Sequence, residues 1–447
     1  MKPRERRETG QSDLFKARLD QTIDMNHPRV RLARQIEWGF FEKKFGAAYA
    51  DGPGSPPLPT RLMAGLHILK YSENLSDERL CEIWLENPYF QYFCGEEFFQ
   101  HALSFDRSSL TRWRQRMGEE KLKALLQESL AVAVKTGALK PCALTAVVVD
   151  TTVQPKNIAH PTDAKLLNRA REKLVRLAQK HGICLRQSNR RVGKLALVKQ
   201  QRYAHAKQFK RAKRCLRTLK TYLGQAMRDI QRKIEGNGEL EAAFAPALSL
   251  AHRVLFQKKR QEAPKVYALH APEVECIGKG KAHKPYEFGV KVSLATTVTP
   301  SKGGQFIVHA QALPGNPYDG HTLETVLPGI EALTGATPSR VLADAGYKGH
   351  NAPPEHKLKV FTQGQKRGLT EAVKRQFKRR AGIEPVIGHT KVDHRMDRNF
   401  LAHREGDANN AVLAAAGYNF RRLIQWFRLL LRAIWLAFAA VAKPVPA

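Results

Sequence analysis

The sequence contains few cysteines, and their spacing excludes two classes of protein. Its six cysteines are scattered along the chain, and no two of them form a CxxC pair. A zinc site built on cysteine needs closely spaced ligands, and a disulfide-stapled domain needs a denser framework. Isolated, reduced thiols are typical of proteins that work in a cytosol.

The sequence also lacks a long apolar run. The first ten residues, MKPRERRETG, are charged and contain no apolar segment of the kind found in secretory signals. An apolar run near the C-terminus, residues 429–442, is interrupted by Arg432 and spans fourteen residues. A bilayer-spanning helix needs ~20 residues. We therefore expect a buried terminal helix there and no membrane partner.

Acidic residues are scarce relative to basic ones. The chain has 41 Asp and Glu against 75 Lys and Arg, which gives a formal net charge of +34 and a pI near 10.1. A protein with this excess of one sign repels itself unless it meets a polyanion. Nucleic acid is the first candidate, and an anionic membrane surface is the second. The 447 residues allow about three domains.

The positive charge is concentrated in residues 165–235. This segment has 22 Lys and Arg against three acids, a net charge of +19. Apolar residues recur at threes, fours and sevens from Phe209 to Ile234, which predicts a long amphipathic helix. Its polar face suits a phosphate backbone. The alternative is a solvated helical hairpin, which the single sign of the charge makes the weaker interpretation.

Two short apolar segments each end in an aspartate. Residues 146–149 are apolar and largely β-branched, and residues 341–343 are apolar. This pattern predicts buried strands with Asp150 and Asp344 at or near their C-terminal ends. A carboxylate at the end of a buried strand needs a partner, and a metal ion would supply one. The alternative for Asp150 is a cap on the next turn. Between these strands, alternation at 286–295 and 305–312 predicts a β-hairpin, and a helix should begin near Thr322.

The segment 381–410 is rich in both acids and bases. Arg380, Glu384 and Lys391 have helical spacing, so they would form one stripe of cation, carboxylate and cation. Such a stripe suits a site that holds metal and phosphate together. The alternative is a solvated, charged helix face.

The sequence of the N-terminal region predicts helices, one of which would contact DNA. Apolar spacing from Thr60 is helical, and Ser76 is placed to cap the helix that follows it. A short helix after Ser108 would carry Arg112 and Arg114, and it resembles the recognition helix of a helix-turn-helix. An ordinary surface helix is the alternative.

Carboxylates from two strands and one helix can converge on a pair of divalent cations. Two such ions hold the attacking and leaving oxygens of a phosphodiester during in-line displacement. Mg²⁺ suits hard oxygen ligands, and Mn²⁺ is the expected substitute.

In this order, the motifs resemble the DDE transposases of bacterial insertion sequences, and in particular the group called the insertion sequence five family. The resemblance covers most of the chain. It includes residues 56–99, the segment VVVDTTVQPKNIAHPTD around Asp150, and LADAGYKG around Asp344. 

A third motif resembles the family signature Y-x2-R-x3-E-x6-K. Here it is met by Phe377, Arg380, Glu384 and Lys391, with phenylalanine in the place of the family's tyrosine. The resemblance implies that Asp150, Asp344 and Glu384 form a catalytic, metal-binding triad. It also implies that Arg380 and Lys391 contact phosphates at the transposon end.

The resemblance implies an α/β fold with an RNase H-like mixed sheet. We expect an all-α N-terminal region at 1–135 that binds DNA, and a catalytic core at 140–163 and 264–420. A long basic helical insertion at 164–263 would split that core, and a C-terminal helix would occupy 421–447.

The expected function is DNA transposition: cleavage of insertion-sequence ends and joining of the 3′-hydroxyl to target DNA. Double-stranded DNA is the expected partner, a homodimer on DNA the expected assembly, and the bacterial nucleoid in the cytoplasm the expected location. Two alternatives remain from the sequence. One is a catalytically inactive, transposase-derived DNA-binding protein, and the other is an RNase H-like nuclease without strand transfer.

Overall fold

The computed structural model describes residues 17–49, 57–258, 261, 264–278, 285–299, 301–354, 358–365 and 370–441, with side chains up to residue 433 in the last range. The charged first ten residues lie outside these ranges. The chain forms two compact units, Met1–Pro155 with Val290–Ala447, and Lys156–Gly289.

The N-terminal part of the first unit is helical, as predicted. Its helices are α1 (Leu19–Thr22), α2 (Pro28–Gln35), α3 (Trp38–Gly46), α4 (Thr60–Ser72), α5 (Asp77–Glu86), α6 (Pro88–Phe93) and α7 (Ser108–Lys135). The predicted cap is confirmed, because the Ser76 hydroxyl accepts a hydrogen bond of 3.1 Å from the Arg79 N–H. 

Helix α7 is longer than the short helix that the sequence predicted. It continues to Lys135 and is interrupted at Gly118, whose φ of 63° is outside the helical range. A positive φ of this kind is accessible to glycine at little steric cost. 

The described strands are β1 (Ala146–Pro155), β2 (Glu275–Gly278), β3 (Tyr286–Thr297), β4 (Ile307–Leu313), β5 (Arg340–Ala343) and β6 (Lys359–Thr362). The predicted hairpin is confirmed, because β3 and β4 pair antiparallel from Lys291 opposite Leu313. Strand β5 runs parallel to both β1 and β6. The sheet order is β4-β3-β1-β5-β6, and β2 pairs with the first residues of β3. This mixed sheet confirms the predicted α/β class.

The second unit contains the basic segment as a set of helices. They are α8 (Asp163–Lys180), α9 (Arg190–His205), α10 (Phe209–Ile234) and α11 (Gly238–Phe256). The predicted amphipathic helix is α10, and Leu219, Leu223 and Ile230 are buried in the core of this unit. Phe209 is an exception, because 68% of its surface is exposed.

Helices α12 (Leu323–Thr334), α13 (Glu371–Arg380), α14 (Ile383–Asp393) and α15 (His403–Val441) complete the first unit. Helix α12 begins where the sequence predicted. Helix α15 begins well before residue 421, and its buried hydrophobic residues lie between Ala411 and Phe427. The expectation of a buried helix after Leu429 was wrong at that residue, whose surface is 53% exposed. Within the described residues, no helix combines the length and apolar content needed to cross a membrane.

Arg114 has a structural position that the sequence did not reveal. Its guanidinium is buried and donates two hydrogen bonds to Asp77, of 3.0 Å to Oδ1 and 2.7 Å to Oδ2. Lys70 donates to the same carboxylate at 2.6 Å. The geometry therefore does not support Arg114 as a DNA contact. Arg112, two residues earlier, is exposed and lies 3.5 Å from Asp106.

We expect Arg114→Ala to destabilise the protein by about 3 kcal/mol, because removing one partner leaves a largely desolvated carboxylate with reduced compensation. The matched change Arg112→Ala, at an exposed position of the same helix, should alter stability by about 0.5 kcal/mol or less. Urea unfolding measures both. A stable Arg114→Ala variant that has lost DNA binding would instead support the predicted DNA contact.

Candidate active site

Asp150 and Asp344 lie on neighbouring parallel strands. The registers pair Val148 of β1 with Leu342 of β5, two residues before each aspartate. The sequence predicted Asp150 at or near the C-terminal end of its strand, but β1 continues beyond it to Pro155. Asp344 directly follows β5 and begins a short 3-10 turn. The two carboxylates therefore reach the same region of the sheet.

The helices α13 and α14 cover the face of the sheet to which these aspartates belong. Side chains alternate between the faces of a strand, so Asp150 shares a face with Val148. Val148 and Leu342 form one apolar cluster with Ile383, the first residue of α14. Glu384 follows Ile383 directly. The structure thus places the helix that carries Glu384 on the face of the sheet to which Asp150 belongs.

Arg380 links the helical side of the site to the strands. It is buried, and its Nη2 lies 3.5 Å from Oδ2 of Asp344. Its Nε is also buried and lacks a hydrogen-bond partner among the described residues. This arrangement leaves donor capacity that a further oxygen ligand would satisfy.

The predicted continuous stripe of Arg380, Glu384 and Lys391 was wrong in one respect. Helix α13 ends at Arg380 and α14 begins at Ile383, so the cation and the carboxylate belong to different helices. A Cβ on Gly382 would lie 2.9 Å from the Gln305 side-chain oxygen, which shows how closely the chain approaches the segment before β4 at this break. Glu384 and Lys391 do share α14.

The side chain of Glu384 is exposed, and it makes no hydrogen bond or ion pair within the described ranges. Lys391 is half-buried. The structure therefore unites Asp150, Asp344 and Arg380, whereas Glu384 stands on an adjacent helix without a contact to either aspartate.

Asp319 is a carboxylate of this site that the sequence reasoning missed. Its Oδ1 accepts hydrogen bonds from the Thr151 hydroxyl at 2.9 Å and from Lys291 Nζ at 3.0 Å. A Cβ on Gly346 would lie 3.1 Å from Asp344 Oδ1 and 3.3 Å from Asp319 Oδ2, so both carboxylates flank this glycine. The sequence showed Asp319 only as a loop acid in PYDGHT, and no local signal links it to the other two.

Burial, with smaller contributions from neighbouring aspartates, raises the pKa of two groups at this site, Asp150 and Tyr347. Burial raises the pKa of Asp150 to about 6; Asp344 and Asp319 add to the rise, and the Thr151 N–H and Arg380 oppose it. Burial also raises the pKa of the Tyr347 hydroxyl, with Asp150 and Asp319 as further causes. Asp150 is thus a buried carboxylate beside two like charges, and a nearby cation would stabilise its ionised form.

The donor set fits a hard divalent cation in its chemistry. Carboxylate oxygens are the ligands that Mg²⁺ and Mn²⁺ prefer. Within the part of the chain that the structure describes, however, no three Asp, Glu, His or Cys side chains are arranged closely enough to hold a metal ion. The aspartates supply the correct atoms, and Glu384 would have to approach them to complete a triad.

The other acids of the 371–407 segment have separate surroundings. Glu371 begins α13 and forms an ion pair of 2.7 Å with Lys374. Asp393 ends α14 and contacts His389 at 2.7 Å. Asp407 is buried inside α15 and accepts a hydrogen bond of 2.6 Å from the Asn399 side chain.

Comparison with known proteins finds transposase families that match the N-terminal helical region and the region of the mixed sheet. Residues 17–116 match the family described as "Transposase domain (DUF772)", and residues 259–420 match "Transposase DDE domain". The chain is 52% identical over 201 residues to "Uncharacterized protein ORF8 in nfe locus" of Rhizobium meliloti, an alignment that covers 45% of this chain and 97% of that protein. No solved structure matches the chain.

The chain therefore belongs to the DDE transposases of the insertion-sequence type. This family membership implies an RNase H-like core for the mixed sheet. It also makes the protein a metal-dependent enzyme that binds and cleaves DNA.

We expect Asp150→Asn to stabilise the metal-free protein more at pH 8 than at pH 4.5. Because the pKa of Asp150 rises from 3.8 to about 6 on folding, its ionisation disfavours the folded state as pH increases through this range. The complete effect is on the order of 2–3 kcal/mol. Asparagine cannot ionise, so the variant avoids this penalty.

Urea unfolding in EDTA at the two pH values measures the difference. The exposed Asp397→Asn provides a control with the same chemical change. A stability difference between Asp150→Asn and wild type that is equal at both pH values would contradict the electrostatic description of the site.

Proposed function

We propose that this protein cleaves the ends of an insertion sequence and joins the freed 3′-hydroxyl to target DNA, and that it belongs to the insertion sequence five family. The observation that carries the proposal is the pairing of Asp150 and Asp344 on adjacent strands beside buried Arg380. This arrangement combines acids for cation binding with a cation for phosphate binding.

In this proposal, Asp150, Asp344 and Glu384 hold two Mg²⁺ ions, with Mn²⁺ as a substitute. When bound, such ions activate the attacking oxygen and stabilise the leaving 3′-oxygen. Water attacks the phosphorus at the transposon end, and the P–O3′ bond breaks to release a 3′-hydroxyl. This 3′-hydroxyl then attacks a target phosphorus, which forms a new P–O3′ bond, breaks the P–O3′ bond of the target strand and releases the 3′-hydroxyl of that strand.

The protein's own residues position the DNA and the carboxylates. Arg380 neutralises Asp344 and uses its remaining donors for a phosphate at the transposon end, and Lys391 contacts a neighbouring phosphate. Asp319 keeps Lys291 and Thr151 beside the reacting group through its two hydrogen bonds. Lys291 Nζ is fixed further by a bond of 2.7 Å to the Pro317 carbonyl.

The two alternatives predict different products. An inactive DNA-binding protein would bind transposon ends without cutting them, and an RNase H-like nuclease would cut without joining. A strand-transfer assay with end-containing DNA and a supercoiled target separates all three. We propose that the active form is a homodimer on double-stranded DNA in the bacterial nucleoid, because two ends must be cut for each element.

We expect Asp150→Asn and Asp344→Asn to fold and bind DNA but to lose cleavage in Mg²⁺. An amide is a neutral and weaker ligand for a hard cation than a carboxylate. End cleavage and Mn²⁺ binding by calorimetry are the measurements, and electrophoretic mobility of end DNA is the control for binding. Substantial cleavage by either variant would remove that aspartate from the proposed site.

The third ligand requires a test between Glu384 and Asp319. We expect Glu384→Gln to abolish cleavage and weaken Mn²⁺ binding. Asp319→Asn should slow cleavage, because it loosens Lys291, yet retain Mn²⁺ binding. The control variants Glu371→Gln, Asp393→Asn, Asp397→Asn and Asp407→Asn should retain measurable cleavage.

The opposite pattern would assign the third ligand to Asp319. In that case Asp319→Asn would lose both cleavage and Mn²⁺ binding, and Glu384→Gln would remain active. A thermal melt of each variant distinguishes loss of the site from loss of the fold.

A further inference from the structure

A cleft of about 450 Å³ lies between α8 and α9 in the second unit. Six of its lining side chains are cationic: Lys165, Arg169, Arg171, Arg176, Arg190 and Lys194. Glu172 is the carboxylate among the described lining residues. The cleft therefore collects positive charge in a concave space rather than spreading it over a helix face.

Arg171 forms a rigid wall of this cleft. Only 1% of its surface is exposed. Its Nη1 donates to the Ser188 carbonyl at 2.7 Å, and its Nη2 donates to the Asn168 side-chain oxygen at 2.9 Å. Both acceptors are neutral, so these hydrogen bonds orient the guanidinium without cancelling its charge.

The charge of Arg171 is only partly compensated. Glu172 lies 3.5 Å from Nη2, and it also accepts a hydrogen bond from Asn168. The buried Nε has no hydrogen-bond partner within the described ranges. Burial lowers the pKa of Arg171, Glu172 opposes this effect, and Arg190 adds to it. A buried cation next to a second cation is unfavourable unless an anion joins them.

The backbone of α9 is shaped to this guanidinium. A Cβ on Gly193 would lie 2.9 Å from Arg171 Nε and 3.0 Å from Nη2. A larger residue would therefore displace the arginine or the helix. Asn189, which precedes α9, has a left-handed φ of 49°, and its side chain donates to Gln225 at 3.1 Å. The absence of a side chain at Gly193 therefore allows α9 to approach Arg171 of α8 closely.

We propose that the α8–α9 cleft is a discrete binding site for a backbone phosphate of DNA, separate from the catalytic site. This inference deepens the proposed function, because it assumes that the polyanionic partner is the DNA on which the transposase acts. A compact anion satisfies the charge of Arg171, Arg190 and Lys194 together. The described lining contains no aromatic side chain on which a base could stack. Phosphate contacts of this kind position DNA without reading its sequence.

The test compares two pairs of substitutions that remove the same charge from the full-length protein. Arg190→Gln with Lys194→Gln changes two exposed cations of the cleft. Lys213→Gln with Arg214→Gln changes two exposed cations of α10 that do not line it. Fluorescence anisotropy with a random-sequence duplex at several salt concentrations gives the affinity and its salt slope.

The cleft pair should lower the slope of log K against log[salt] by about one unit, because one phosphate contact is lost. The α10 pair should change the slope by clearly less. Equal slope changes for the two pairs, or an unchanged slope for the cleft pair, would overturn the proposal in favour of a diffuse electrostatic surface.

Gly193→Ala provides an arm that leaves the net charge unchanged. We expect weaker DNA binding and a smaller salt slope, because the added methyl group displaces Arg171. A thermal melt confirms that the variant is folded. A folded Gly193→Ala variant with wild-type affinity and slope would contradict the role of Arg171 in the site.

Inorganic phosphate distinguishes DNA from a free phosphate ligand. At equal ionic strength, phosphate should raise the melting temperature of wild type more than that of the cleft pair. If phosphate acts in this way while DNA binding is unaffected in the cleft pair, the site takes a free phosphate and the assignment to DNA is wrong. These measurements read binding alone, whereas Asp150→Asn tests the catalytic proposal through cleavage.

Discussion

A buried polar seam holds the end of β1 between the N-terminal helices and α15. The Tyr71 hydroxyl donates to Asn410 at 2.9 Å, and Asn410 donates to Gln154 at 3.0 Å. Gln154 then donates to the Asp407 carbonyl at 2.9 Å. A shift of either helix would disrupt several of these hydrogen bonds at once. Each buried polar group left unpaired would cost about 1–3 kcal/mol. Gln154 lies four residues after Asp150, so this seam fixes the strand that carries the first aspartate.

The same seam anchors the chain that follows Glu384. His394 is hydrogen-bonded to the Tyr71 carbonyl at 2.8 Å, and Asn410 donates to the Arg395 carbonyl at 3.1 Å. The C-terminal end of α14 is therefore tied to α4 and α15, whereas its N-terminal end adjoins the break after Arg380. Glu384 occupies this N-terminal end. An adjustment at the break would move Glu384 relative to the aspartates without disturbing the buried seam.

The sequence predicted those features that depend on local periodicity, and it missed those that depend on distant partners. Alternation and apolar runs identified the hairpin and the strands leading to Asp150 and Asp344. The residues around Arg114 indicated a surface cation, because its partner Asp77 is 37 residues away in the sequence. Asp319 joins the site only through contacts across the fold. The sequence also did not reveal the break between α13 and α14. The helical spacing of Arg380, Glu384 and Lys391 continues across it, and the close approach of Gly382 to Gln305 is a contact with a distant part of the chain.

The charges of the site explain why these nonlocal contacts matter for the chemistry. Among the described residues, Lys291 contacts Asp319 and Arg380 contacts Asp344, whereas Asp150 accepts only the Thr151 N–H as a hydrogen bond. More fixed cations would stabilise the aspartates, but they would also reduce the attraction for divalent ions. Fewer fixed cations would leave a bound phosphate facing carboxylates whose charge is not compensated. In the proposed function, pairing two aspartates while Asp150 has no ion pair among the described residues would keep negative charge for metal ions. Arg380 would still present positive charge to DNA.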